Sequence, residues 1–250
     1  MATDDNMVIT NTTRLRLARD VRQIIKHPLT DHNIYYQHDE QNMLQGTALI
    51  IGPEDTPYEG GYYFFKFTFP TNYPHSPPKV EYISVSHTVR LHPNLYANGK
   101  VCLSILNTWN GEGWTGCQTI SSVLLTICSI LTDKPLIHEP GFTETHSHVN
   151  YYTEYVRFNN IYLSIINVMK NKYIKTHYKK LYDIALNDFI SNFEKKLENC
   201  KLSIQKFMSF MKITDVEDMY ILNAYTVSRK KNIFYTRLLE QLIKTHDKLK

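Results

Sequence analysis

A chain of 250 residues and 29.4 kDa, 42% of it hydrophobic, carries enough apolar material for a sizeable core, which excludes intrinsic disorder for the bulk of it. Its 28 Lys and Arg against 24 Asp and Glu leave +4 dispersed along the sequence, too mild a balance to argue for a nucleic-acid partner. No apolar run approaches the roughly 18 residues a membrane span needs, residues 1–14 lack a signal peptide's apolar segment, and Cys102, Cys117, Cys128 and Cys200 form no CxxC pair; the expectation is a soluble, cytoplasmic or nuclear protein without membrane contact.

Residues 1–12 are expected to be a flexible N-terminus. From Thr13, Leu17, Ala18, Val21, Ile24 and Ile25 recur at spacings of three and four, one apolar stripe of a helix with Thr13 as N-cap, while Arg14, Arg16, Arg19 and Arg22 fall mostly off the stripe. Between Asn33 and Thr88 the period changes to two. Tyr63, Phe65, Phe67 and Phe69 alternate with Phe64, Lys66 and Thr68, Leu44 to Ile51 forms another strand-like run, and turn-rich segments at 52–61 and 69–79 divide the strands as an antiparallel meander requires. Regular pattern stops after Val85, and residues 90–118 form a long irregular stretch with both tryptophans and two cysteines, the kind of segment that is usually functional. Helix returns at Thr119 with Ile120, Val123, Leu124, Ile127, Cys128 and Leu131 on one face, which makes Cys128 a small core hydrophobe. Residues 148–250 contain neither proline nor glycine and repeat helical stripes, such as Leu181, Ile184, Ala185, Phe189, Phe193 and Leu197. That half reads as all-helical, with Cys200 an ordinary surface or boundary thiol.

The segment 90–106 (RLHPNLYANGKVCLSIL) carries the chemistry. It holds a loop cysteine, Cys102, eight residues after a polar amide, Asn94, with a turn at Gly99 between them. The residues themselves read as a nucleophilic thiol beside an oxyanion donor: a carbonyl attacked at a thioester develops negative charge, and a positioned amide N–H aimed at it is worth about a hundredfold to a thousandfold in rate. His92, preceding Pro93, reads as a backbone-fixing residue more readily than as a general base. A cysteine hydrolase pairing Cys102 with one of the 11 histidines stays open at this point, although no local hydrolase signature accompanies it. Ligand pairs at zinc spacing are missing, so no metal is expected.

The same string resembles the active site of ubiquitin-conjugating enzymes, whose His-Pro-Asn tripeptide and thioester cysteine match His92-Pro93-Asn94 and Cys102. The resemblance continues in order through residues 58–62 (YEGGY), 69–74 (FPTNYP), 77–80 (PPKV), Trp114 and 120–127 (ISSVLLTI). Within the family it is nearest to the long Z-type members and the conjugating domain of the giant inhibitor-of-apoptosis protein, through residues 100–106, 108–114 (TWNGEGW), 139–142 (EPGF) and 150–157. The fold this implies is α+β: an N-terminal helix, a four-stranded antiparallel meander sheet, an active-site loop and a long central helix in a core at 13–142, with an all-α C-terminal extension at 143–250.

The resemblance further implies that Cys102 accepts ubiquitin, or a related modifier, from an activating enzyme and passes it to a substrate lysine or a ligase, with no metal or organic cofactor. Asn94 supports the oxyanion, His92 is structural, and Glu139 stands where the family often has an acidic gate; read by itself, Glu139 is a solvated loop carboxylate. Ser104 stands where many members carry an acid. His75, Trp114 and Gly116 fall in the ligase-facing loops, and Arg14, Arg16 and Arg19 on the surface that docks the activating enzyme. The alternative within the same fold is a non-catalytic ubiquitin-binding variant or scaffold. Heavy use of Lys, Asn, Ile and Tyr hints at an AT-rich genome, that of a parasite or a large virus; the latter would put the protein in a host cytoplasm.

Overall fold

The computed structural model describes residues 9–211 and 235–250. Most of the segment expected to be flexible, 1–12, lies outside them; within them, the helix is already under way at Asn11. Helix α1 spans Asn11–Lys26, with Thr10 as the N-cap, its side chain accepting from the Thr13 N–H at 3.1 Å. The expected cap was Thr13, which instead donates its hydroxyl to the Thr71 carbonyl at 2.8 Å and ties α1 to the loop after the third strand. Leu17 and Ile24 are buried as expected, whereas Ile25 is 67% exposed and Asp20 takes a place on the buried face.

Strands β1 (Ile34–His38), β2 (Gln45–Ile51), β3 (Tyr62–Thr68) and β4 (Lys79–Tyr82) form one antiparallel sheet in the order β1-β2-β3-β4. The pairing places Ala48 opposite Phe65 and Ile50 opposite Tyr63 on one face, Leu49 opposite Phe64 and Ile51 opposite Tyr62 on the other. Alternation alone predicts a solvated second face, yet all eight of these side chains are buried, because helices cover both faces. On the inner face, Ala48, Ile50, Tyr63, Phe65 and Phe67 join α1 and helix α2 (Ile120–Ser129) in one core, which extends into helix α3 (His148–Asn159) through Val149, Tyr152 and Val156. A capping box at Thr119 and Ser122 starts α2.

On the outer face, Leu49, Ile51, Tyr62 and Phe64 pack under the C-terminal helices. These are a π-helical continuation of α3 at Asn160–Asn167, then α4 (Val168–Lys170), α5 (Lys172–His177), α6 (Lys179–Ser191), α7 (Phe193–Met211) and α8 (Tyr235–Leu249). Three polar ties, the first of them buried, join the helices after α3 to this part of the fold. The Tyr63 hydroxyl donates to Asn160 Oδ1 at 2.6 Å, Asn160 Nδ2 donates to the Glu59 carbonyl at 3.0 Å, and the Tyr62 hydroxyl donates to Asp188 Oδ2 at 2.7 Å. Gly61 makes the approach possible, since a Cβ there would lie 1.9 Å from Asn160 Oδ1. Cys200, expected at the surface, is fully buried in the outer-face core, and burial pushes its thiol up to about 12. Its neighbours in sequence, Asn199 and Lys201, are polar, so only the packing of α7 on the sheet reveals which face it occupies.

Candidate active site

Cys102 sits in the irregular stretch, held by hydrogen bonds that reach its backbone from both sides. Its N–H donates to the Asn94 carbonyl at 2.9 Å, and its own carbonyl accepts from Asn94 Nδ2 at 2.7 Å. One residue to either side, Thr108 Oγ1 donates to the Val101 carbonyl at 2.7 Å and accepts from the Leu103 N–H at 2.9 Å. These contacts satisfy backbone groups that no sheet or helix ladder serves. Asn94 therefore carries a positioning task that the sequence did not show: one N–H of its amide is spent on the Cys102 carbonyl, and a second remains in the donor inventory of that group.

His92 is buried, and its Nδ1 accepts from the Asn94 N–H at 2.9 Å, which bears out the backbone-fixing reading. Burial, then the charges of His138 and Arg90, hold the imidazole well below its ordinary value, against a smaller opposing contribution from the Ile130 carbonyl. A neutral ring engaged with backbone is not a base for the thiol, and among the described residues no hydrogen bond joins a histidine to the Cys102 sulfur. The segment leading into His92 is anchored by two tyrosines. Tyr58 donates to the Leu91 carbonyl at 2.9 Å and Tyr152 to the Arg90 carbonyl at 3.2 Å. Glu139 lies beside this segment, its Oε2 3.8 Å from Arg90 Nη2.

Cys102 is only 1% exposed. Reactive thiols are commonly partly accessible, whereas this one stands closed. The tight local bonding explains the difference: residues 101–103 are drawn inward by Asn94 and Thr108.

The two loops expected to face a ligase do come together. Trp114 Nε1 donates to the Pro74 carbonyl at 2.7 Å and its ring packs 5.9 Å from that of Tyr73, while His75 and Gly116 lie exposed beside them. The arginines of α1 divide. Arg14 and Arg19 are exposed, but Arg16 is committed: its Nε pairs with Asp20 at 2.9 Å, and its fork donates to the Gly116 and Gln118 carbonyls at 2.5 and 2.6 Å. Asp20 in turn accepts from the Tyr73 hydroxyl at 2.5 Å. Arg16 thus joins α1 to the loop before α2, its guanidinium engaged with Asp20 and backbone carbonyls where Arg14 and Arg19 are exposed. Asp20, Arg90, Thr108 and Tyr152 were missed; of these Arg90, Thr108 and Tyr152 stood inside quoted motifs, and Asp20 carried no signal because a carboxylate on a helix is read as solvent-facing.

Cys128 is half-buried, with burial raising its thiol, whereas Cys117 is exposed. A cavity of about 280 Å³ opens elsewhere, between the Gly52–Gly60 turn and α7, where Lys195 pairs with Glu54 and Lys196 with Asp188 at 2.9 Å. Among the described residues no group of three His, Cys, Asp or Glu is placed to hold a metal ion, and no helix is long and apolar enough to cross a membrane.

The inner helices, the four-stranded meander and the Asn94–Cys102 pairing define the ubiquitin-conjugating fold. A family model described as ubiquitin-conjugating enzyme matches residues 16–166, and the chain belongs to that family. It is similar to ubiquitin-conjugating enzyme E2 Z of Danio rerio, 42% identical over 176 residues that cover 69% of this chain and 53% of that protein. E2 Z of Homo sapiens is 44% identical over 161 residues, 63% of this chain and 45% of that one. The human dual E2 ubiquitin-conjugating enzyme/E3 ubiquitin-protein ligase BIRC6 is 45% identical over 117 residues, 44% of this chain and 2% of that protein. The family is the one the sequence motifs implied, and E2 Z and BIRC6 are among its members that this chain resembles. The chain spans about half the length of the E2 Z relatives it matches.

Proposed function

We propose that the chain accepts the C-terminal carbonyl of ubiquitin, or of a related modifier, on Cys102 as a thioester and hands it to a substrate lysine or to a ligase. The observation that carries this is the two-way bond between Asn94 and Cys102, at 2.9 and 2.7 Å, in a chain of this family. Exchange between thioesters is nearly balanced in energy, so the site needs positioning more than a strong base. Asn94 supplies it, and its second N–H is the donor for the oxyanion of the tetrahedral intermediate. Glu139 takes up the proton that an attacking lysine must lose. Because Cys102 is 1% exposed, charging requires the flanking loops to part. The exposed Arg14 and Arg19 dock the activating enzyme, His75, Trp114 and Gly116 face a ligase, and the extension over 143–250 selects partner or substrate. A non-catalytic binding variant would have no use for a cysteine braced on both sides, and a hydrolase would need an imidazole at the sulfur.

Incubation with activating enzyme, ATP and ubiquitin, followed by a non-reducing gel, tests this. A band shift erased by thiol reductant is expected, absent in Cys102→Ala and converted to a reductant-resistant oxyester in Cys102→Ser. Persistence of the shift in Cys102→Ala rejects the assignment. Other modifiers tried singly in the same assay identify the cargo. In Asn94→Ala, discharge to free lysine slows by about a hundredfold, as for loss of an oxyanion donor; an unchanged rate removes Asn94 from the transfer step.

A further inference from the structure

The geometry points to Arg90 as a resident cation holding the place beside Glu139 that an incoming lysine ammonium would take, so that transfer to lysine requires Arg90 to give way. This rests on the reading of Cys102 as the thioester site. Groups from the segments around that site hold the Arg90 guanidinium. It donates to the Pro93 carbonyl, lies 3.7 Å from the centroid of the Tyr96 ring, and brings Nη2 to 3.8 Å from Glu139 Oε2. Its backbone is fixed separately by the Tyr152 hydroxyl, at 3.2 Å. Pro93 immediately precedes Asn94, whose side chain bonds the Cys102 carbonyl, so Arg90 grips the same backbone segment that supports Cys102. Both members of the ion pair keep a solvent-facing edge, with side-chain exposures of 21% and 27%, so an amine arriving from solvent meets a carboxylate already matched by a positive charge. Ser104, two residues past Cys102, supplies no second carboxylate.

The consequence is electrostatic discrimination among nucleophiles. In transfer to lysine the neutral amine nitrogen bonds to the thioester carbonyl carbon, the carbon–sulfur bond breaks, and Cys102 leaves as a thiolate. The proton lost by nitrogen passes to the Glu139 carboxylate and from there to the thiolate. A lysine that arrives as an ammonium is repelled by Arg90 until the guanidinium moves, whereas hydroxylamine, uncharged at neutral pH, is not. Transfer to a ligase cysteine brings no cation and is equally indifferent to Arg90.

The test charges the full chain with ubiquitin and follows discharge by free lysine and, separately, by hydroxylamine. In Arg90→Gln, which keeps a donor for Pro93 and removes the charge, the lysine-to-hydroxylamine rate ratio is expected to rise about threefold to fivefold, the worth of a partly exposed ion pair. Arg90→Met gives a second neutral replacement should the first fold poorly. Glu139→Gln should then lower the lysine rate more in the Arg90→Gln background than in the wild type. An unchanged ratio, or an equal drop in both backgrounds, overturns the inference. A wild type that forms no thioester would instead reject the function proposed for Cys102, and the two failures are separate on the gel.

Discussion

The two faces of the sheet are buried by different means. The inner face is closed by α1, α2 and α3 in a single apolar core, and the active-site stretch that borders it is held by short-range bonds between side chain and backbone, such as those of Asn94 and Thr108. The outer face is closed by chain far away in sequence, through a second apolar core and the tie of Tyr62 to Asp188, 126 residues on. The contrast teaches that the chemistry is braced locally while the extension is docked over distance, so damage to each should leave a different trace.

The largest expected effect separates the faces directly. Phe64, 1% exposed and 5.9 Å from the Tyr178 ring, belongs to the outer core alone. Phe64→Ala should cost about 3 kcal/mol in denaturant unfolding, with amide exchange accelerated chiefly in α6 to α8. Phe65→Ala on the inner face should cost a similar amount but loosen α1 and α2. Equal spreading of the exchange in both variants would erase the distinction between the two cores. Such point changes are cleaner than deleting 173–250, which would uncover the apolar side chains of Leu49, Ile51, Tyr62 and Phe64 together.

Acid should find the active-site side first. Buried His92 stays neutral in the fold, its value pushed by burial well below the ordinary 6.5, while the unfolded chain takes up its proton near that value. Stability therefore declines as pH falls below about 6.5, and half-buried His38 and His138, also lowered by burial, add in the same direction. On the outer face, burial pushes the Asp188 carboxyl up, but Lys196, Tyr62 and Asn192 outweigh it and hold it below its ordinary value. Its contribution is complete above about pH 4 and is lost as pH drops through the folded value. Urea midpoints recorded from neutral pH downward should show two steps, with the earlier one shallower in His92→Asn and the later one shallower in Asp188→Asn. A single step near pH 4 in the wild type would contradict the assignment to His92.

The smallest effect concerns Arg16. Arg16→Lys keeps the pair with Asp20 but loses the fork to Gly116 and Gln118, about 1 kcal/mol of local support. Amide exchange in 115–118 should speed up about fivefold with the midpoint of global unfolding barely moved. Unaltered exchange there would mean that the loop is held by Trp114 alone.

Much of this was legible in advance because it depends on local pattern. The strands at 45–51 and 62–68, α2 with its start at Thr119 and the pairing of His92 with the backbone follow from spacing, while the four-stranded sheet came from the family resemblance. What was misread involved residues whose partners lie far along the chain. Thr13 left its capping role for the Thr71 carbonyl, Arg16 and Asp20 turned inward to meet Tyr73 and the 116–118 backbone, and Cys200 was buried by a sheet face that alternation alone leaves wet.

The sequence by itself determined the family, the place of Cys102 in an irregular loop, and the helical character of the described residues after 148, because hydrophobic period, turn chemistry and motif spacing are properties of neighbouring residues. Only the tertiary structure decided that the described helical residues beyond 160 cover the outer face of the sheet, that Cys102 rests closed, and that Arg90 stands beside Glu139. Those outcomes depend on which buried polar group finds which partner across the fold, and burial makes that match obligatory without writing it into any local stretch of the chain.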